Sequence, residues 1–119
     1  MPLESDPVLL TEYARTLGLS PSLAFHDIYT ISDPDLLSFV PRPVHALLFC
    51  FPITEVYENY RKQQDEGKEL DIGENRTEGD VIWFRQTIGN ACGTMGVIHA
   101  ISNGEVPSQL GIFLSAILM

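Results

Sequence analysis

Leu10, Tyr13, Ala14 and Leu17 fall three, four and seven residues from the first, which is the apolar stripe of one helix face. Asp6 followed by Pro7 supplies the cap and first residue of that helix, and Gly18 closes it. After a Ser20-Pro21 turn, residues 23–29 are short and rich in apolar and aromatic side chains, which suits a strand. Asp33-Pro34 opens a second short helix carrying Leu36, Leu37 and Val40, and Pro41-Arg42-Pro43 ends it by withholding amide donors. Residues 44–51 are almost wholly apolar and predict a central strand buried on both faces, with helices on the two sides of its sheet.

Thr54 caps a third helix with Val56, Tyr57 and Tyr60 on one stripe and charge growing toward Arg61-Lys62-Gln63. Residues 65–80 are polar, carry Gly67, Gly73 and Gly79, and lack periodicity, so a mobile surface loop is expected there. Residues 81–84 resume as a short strand that leads into a glutamine and cysteine motif at the start of a fourth helix. Asn103-Gly104 marks a turn, and residues 110–119 contain no charge.

A chain of 119 residues with 45% hydrophobic content is long enough for one domain. The formal charge of −9 opposes nucleic acids and anionic membranes and favours a partner carrying basic groups. The apolar runs are shorter than the roughly 20 residues a membrane helix needs. Met1-Pro2-Leu3-Glu4-Ser5-Asp6 shows no basic region followed by an apolar core, so the expectation is a reducing compartment, the cytoplasm first and the nucleus second. Cys50 and Cys92 occur in different contexts without CxxC spacing, which predicts neither a disulfide framework nor a metal site. No cofactor is implied, and nothing in the pattern sets an oligomeric state.

If the fourth helix starts near Ala91, the Cys92 sulfur lies at its positive end, where open backbone amides and the helix dipole favour an anion. Gly93 and Gly96 leave room for a substrate backbone on one face and for close packing on another, each costing roughly 1 kcal/mol of helix propensity relative to alanine. Gln86 ends the preceding strand, and its amide together with the Cys92 N–H is a candidate oxyanion hole. Spacing alone leaves open that Cys92 is a small packing residue and Gln86 a loop hydrogen-bonder.

The whole run Gln86-Thr87-Ile88-Gly89-Asn90-Ala91-Cys92-Gly93-Thr94-Met95-Gly96-Val97-Ile98-His99-Ala100 resembles the active-site signature of the ubiquitin carboxyl-terminal hydrolases, the papain-like UCH family of deubiquitinating cysteine proteases. Pro2-Leu3-Glu4, Leu17-Gly18-Leu19, Asp33-Pro34-Asp35-Leu36-Leu37, Val40-Pro41-Arg42-Pro43-Val44 and Phe51-Pro52-Ile53-Thr54-Glu55 also resemble that family, in the same order. The similarity covers roughly residues 2–103. It implies an α+β, papain-like fold with a largely antiparallel sheet flanked by helices, truncated after the nucleophile helix. Residues 1–104 would be the N-terminal half of the catalytic domain and 105–119 a divergent apolar tail. It further implies that Cys92 is the nucleophile, that Gln86 stabilises the oxyanion and that Asn90 has an orienting role. Pro2, Leu3 and Glu4 match a segment that touches ubiquitin. The implied reaction is thiol-dependent hydrolysis at the C-terminal glycine of ubiquitin or its adducts, in ubiquitin-dependent protein catabolism.

Papain-like enzymes take their histidine from far downstream, about 130–150 residues after the cysteine in papain. The one histidine after Cys92 is His99, about 10 Å along the same helix and beyond the reach of a hydrogen-bonded base. It is expected to be satisfied by a nearby backbone or polar group. His26 and His45 lie upstream on expected strands, and His26-Asp27 is a poor pair because neighbouring strand residues face opposite sides. The family's catalytic histidine and aspartate are thus expected to be missing, and the isolated chain to be inactive or nearly so. A non-catalytic ubiquitin-binding or regulatory fragment is the alternative. Unpaired sheet edges and bare apolar surface are a further expectation.

Overall fold

A computed structural model describes residues 4–68 and 81–109. The elements in chain order are α1 (Pro7–Thr16), α2 (Pro34–Leu37), α3 (Glu55–Asp65), α4 (Cys92–Ser102) and a closing 3-10 turn, Val106–Gln109.

Helix α1 forms as its sequence demands. The Asp6 carboxylate accepts from the Val8 and Leu9 amides at 3.0 and 3.1 Å, relieving two of the donors a helix start leaves open. At the other end Gly18 turns the chain with φ +102°, a conformation that costs an L side chain dearly. Leu10 and Ala14 face inward and meet Val97 and Ile101 of α4, with Leu19 and Val106 completing the buried cluster. Tyr13, Leu17, Leu23, Phe25 and Leu48 pack around it, and Ala14 and Val97 are fully buried. Thr11 is also buried, and its hydroxyl accepts the Phe25 amide at 2.8 Å, which pins the segment after α1 against the helix.

Asp33 caps α2 through the amides of Asp35 and Leu36, and Thr54 caps α3 through Tyr57. The Arg42–Pro43 peptide between them is cis. Helix α3 buries no residue, and its expected stripe of Val56, Tyr57 and Tyr60 is exposed. What ties α3 in is aromatic contact: Phe51 stacks on Phe49 at 5.4 Å and meets Tyr57 edge-on at 5.1 Å. The helix runs through Asp65, so the polar loop expected from that residue starts after it, and residues 69–80 lie outside the described residues. So do Pro2, Leu3 and the uncharged segment 110–119.

The sheet is where the structure departs from the sequence reading. Residues 23–29, 44–51 and 81–84 take no regular secondary structure: among the described residues no strand ladder joins them and the one isolated bridge is at Leu19. The expected central strand is not buried on both faces: Leu47 is 74% and Phe49 78% exposed, while Leu48 alone reaches the core cluster. The physical reason is that an apolar run encodes a preference for burial, whereas a strand also needs a neighbour offering amides and carbonyls at about 4.8 Å. Helices α1 and α4 pack on each other and leave these segments without that neighbour.

Candidate active site

Residues 81–87, which take no regular secondary structure, a tight turn and the first residue of α4 build the site. Asn90 takes φ +56° at the turn, a left-handed conformation that asparagine tolerates better than most residues. The turn delivers Ala91 as the helix cap, and no side chain caps the amides of the first turn. The Met95 amide already bonds the Ala91 carbonyl at 2.9 Å, so the helix is regular from its start. Cys92 is its first residue and is exposed, as are Gln86 and Asn90. The structure therefore places the sequence-predicted thiol at a helix N-terminus whose cap residue, Ala91, makes no side-chain cap hydrogen bond, where the helix dipole attracts negative charge.

Gln86 uses its side-chain Nε2 to donate to the Ile88 carbonyl at 2.8 Å, folding back on the turn that separates it from Cys92. Glu4 is exposed at the beginning of the described residues. Cys50 and Cys92 are both thiols, with no disulfide between them. Among the described residues no group of three or more His, Cys, Asp or Glu side chains is arranged to hold a metal ion. No helix of the described residues is long and apolar enough to cross a membrane. Two broad grooves among the described residues, one beside α1 and one lined by residues 41–50 together with Ala100, Ile101 and Val106, do not include Cys92 or Gln86.

The glycines of α4 are used as their spacing suggested on the packing side. A Cβ at Gly96 would stand 3.1 Å from Leu48 Cδ2, so the absent side chain lets residues 44–51 lie against the nucleophile helix. Gly93 is buried.

His99 is satisfied by the backbone, as expected. Its Nε2 accepts the Phe84 amide at 2.8 Å, and its ring lies nearly parallel to those of Phe84 and Trp83, 10° from each. The imidazole is engaged away from the sulfur two helical turns along. His26 and Asp27 are exposed on the segment after α1, and His45 is half-buried.

Asn103 is the residue that sequence reasoning underused, having been taken only as a turn signal. Its Oδ1 accepts the Ile82 amide at 2.7 Å while its Nδ2 donates to the Ile82 carbonyl at 3.0 Å and the His99 carbonyl at 2.9 Å. The usable signal was its spacing of four from His99, which puts both on one helix face.

With this geometry in view, comparison with known proteins is decisive. The model of the family "Ubiquitin carboxyl-terminal hydrolase, family 1" matches residues 1–119. The chain belongs to the ubiquitin carboxyl-terminal hydrolase family. It is 39% identical over 105 residues to ubiquitin carboxyl-terminal hydrolase YUH1 of Saccharomyces cerevisiae, covering 88% of this chain and 40% of that protein. It is 43% identical over 118 residues to ubiquitin carboxyl-terminal hydrolase 3 of Arabidopsis thaliana, covering 96% of this chain and 48% of the relative. A Drosophila melanogaster ubiquitin carboxyl-terminal hydrolase is 40% identical over 113 residues, with 93% and 48% covered. The chain thus spans less than half the length of these relatives.

Proposed function

We infer that Cys92 is the nucleophile of a thiol-dependent deubiquitinase, acting on the bond that follows the C-terminal glycine of ubiquitin. The observation that carries this reading is an exposed cysteine as first residue of a helix without a side-chain cap, in a chain of this family. In the reaction the sulfur attacks the glycine carbonyl and the resulting oxyanion is held by the Gln86 amide and the Cys92 N–H. The leaving amine takes a proton, and water then hydrolyses the thioester. Gln86 reaches the oxyanion by exchanging its bond to Ile88 for one to substrate. Asn90 orients the turn between the two, and Pro2, Leu3 and Glu4 contact ubiquitin, whose basic tail suits a chain of charge −9. The cytoplasm, with the nucleus second, is the compartment this reading assigns.

The base is a residue this chain does not carry. His99 is committed to Phe84, and the resemblance to the family assigns His26 and His45 no catalytic role. Residues 1–104 are read as the N-terminal half of the catalytic domain and 105–119 as a divergent tail, of which Val106 is already buried in the core. The segments 23–29, 44–51 and 81–84 become strands of a largely antiparallel sheet when the rest of such a domain pairs with them. Alone, the chain turns over ubiquitin adducts negligibly, while its thiol remains in place to be captured.

The test is the purified chain with ubiquitin carrying a C-terminal electrophile, read by intact mass. An adduct at Cys92 that is lost in Cys92→Ser, together with no turnover of a fluorogenic ubiquitin amide, supports the reading. Reversible binding without an adduct would transfer the support to a non-catalytic ubiquitin-binding fragment, and no binding overturns both.

A further inference from the structure

Three hydrogen bonds join residues 82–84 to His99 of α4 and to Asn103 at its C-cap, a fourth links those two partners, and together they have a register. Ile82 exchanges both its N–H and its C=O with the Asn103 side-chain amide, at 2.7 and 3.0 Å, as it would with a neighbouring strand. Two residues on, the Phe84 N–H meets His99 Nε2 at 2.8 Å. The fourth bond, from Asn103 Nδ2 to the His99 carbonyl at 2.9 Å, fixes the asparagine to the helix and so orients the amide that grips Ile82.

The two spacings match for a physical reason. Alternate residues of an extended chain lie on one edge about 6.6 Å apart, and residues four apart on a helix are separated by about 6 Å along its axis. A strand edge can therefore be stepped along a helix face, two residues against four, by side chains that imitate backbone groups. As the chain advances from 82 to 84, its partner retreats from 103 to 99, so the pairing is antiparallel. Continued by one step, the same register would set residue 86 opposite residue 95, in the first turn of α4 that begins with Cys92.

We propose that His99 and Asn103 are positioning residues that set Gln86 against the Cys92 end of α4 by this side-chain ladder. The proposal rests on the assignment of Gln86 and Cys92 made above. It accounts for the one histidine that follows the nucleophile as a ladder rung rather than a base. It also gives His99 Nε2 the role of acceptor toward the Phe84 amide.

The experiment uses the full chain with His99→Phe, which keeps the stacked ring and removes the acceptor, His99→Gln, which restores an acceptor, and Asn103→Leu. Two readouts are taken. NMR follows amide exchange at Ile82 and Phe84 and the Gln86 side-chain NH2 signals, with Val97 and Ile101 methyl signals reporting an intact core. Affinity for ubiquitin bearing a C-terminal aldehyde follows the oxyanion site, with iodoacetamide alkylation of Cys92 as the measure of the thiol alone.

The expected result is loss of protection at Phe84 and displaced Gln86 NH2 signals in His99→Phe, and loss at Ile82 in Asn103→Leu. Aldehyde affinity falls 10-fold or more in both, alkylation changes less than 2-fold, and His99→Gln recovers most of the loss. Gln86 signals and Phe84 exchange that stay at wild-type values in His99→Phe overturn the proposal. If the wild-type chain does not bind the aldehyde, the functional assignment fails, and the NMR result alone decides whether the ladder positions Gln86. Should one variant lose its core signals, the other rung decides.

Discussion

Replacing Asn103 by aspartate keeps the shape of the side chain and removes only its two donated hydrogens, which makes it the sharpest probe of the link between residues 82–84 and α4. The bonds to the Ile82 carbonyl at 3.0 Å and the His99 carbonyl at 2.9 Å are lost, and the one from the Ile82 amide at 2.7 Å survives. Two lost bonds cost about 2 kcal/mol at a net value near 1 kcal/mol each. An anion at the C-terminal end of a helix adds roughly 0.5 kcal/mol. Because Asn103 is half-buried, water restores part of this, and the expected deficit at pH 7 is about 2 kcal/mol. In a chain of this size that lowers the thermal midpoint by roughly 8 °C.

The sign with pH follows from the same geometry. A carboxylate facing two carbonyls is disfavoured relative to its free form near 3.9, so its folded value lies above the unfolded one. The penalty is then fully present at neutral pH and shrinks as pH falls through the folded value, where the acid O–H can donate again. Thermal or urea unfolding of Asn103→Asp beside wild type at several pH values between 7 and 4 measures this difference. A deficit below about 0.5 kcal/mol at pH 7, or one that widens on acidification, would refute the reasoning.

Two further outcomes follow from the core. Val97→Ala removes two methyl groups from a fully buried site, and at about 0.8 kcal/mol per buried carbon plus a cavity term the loss is about 2 to 3 kcal/mol. Urea denaturation with an unchanged slope checks it. Ser102 is 2% exposed and its hydroxyl has no hydrogen-bond partner among the described residues, so Ser102→Ala should stabilise the chain by about 1 kcal/mol, seen as a raised midpoint; a lowered one would mean that the hydroxyl is paired.

The local parts of the fold were legible in the sequence because their causes are local. Asp6, Asp33 and Thr54 cap the helices they were expected to cap, and Leu10 and Ala14 lie on the face their spacing chose. Cys92 opens α4 as predicted, since the Gly89-Asn90 turn needs only the left-handed tolerance of asparagine. The strands were not legible in the same sense. The apolar run at 44–51 states that these residues seek cover, and it cannot state which segment provides the cover or whether that segment is at hand. The ladder from α4 to residues 82–84 was invisible for a related reason: a side chain bonding to a backbone 15 or 21 residues away leaves no periodic trace. His99 was correctly expected to be satisfied locally, but its partner could be named only from coordinates.

The meeting of α1 with α4 has a consequence for how the chain comes to be folded. Leu10 and Ala14 bury themselves against Val97 and Ile101, groups that lie more than eighty residues later in sequence. A ten-residue helix is too short to persist in water by itself, since isolated helices below about 12–15 residues are marginal. During synthesis α1 therefore lacks its main apolar partner until α4 has left the ribosome, with only the segment through Phe25 to pack on, and contacts of such long range form slowly. The thiol of Cys92 and the core that supports it mature in the same late event. A nascent chain arrested before Cys92 has neither, and one arrested between Cys92 and Ile101 has the thiol without the finished core.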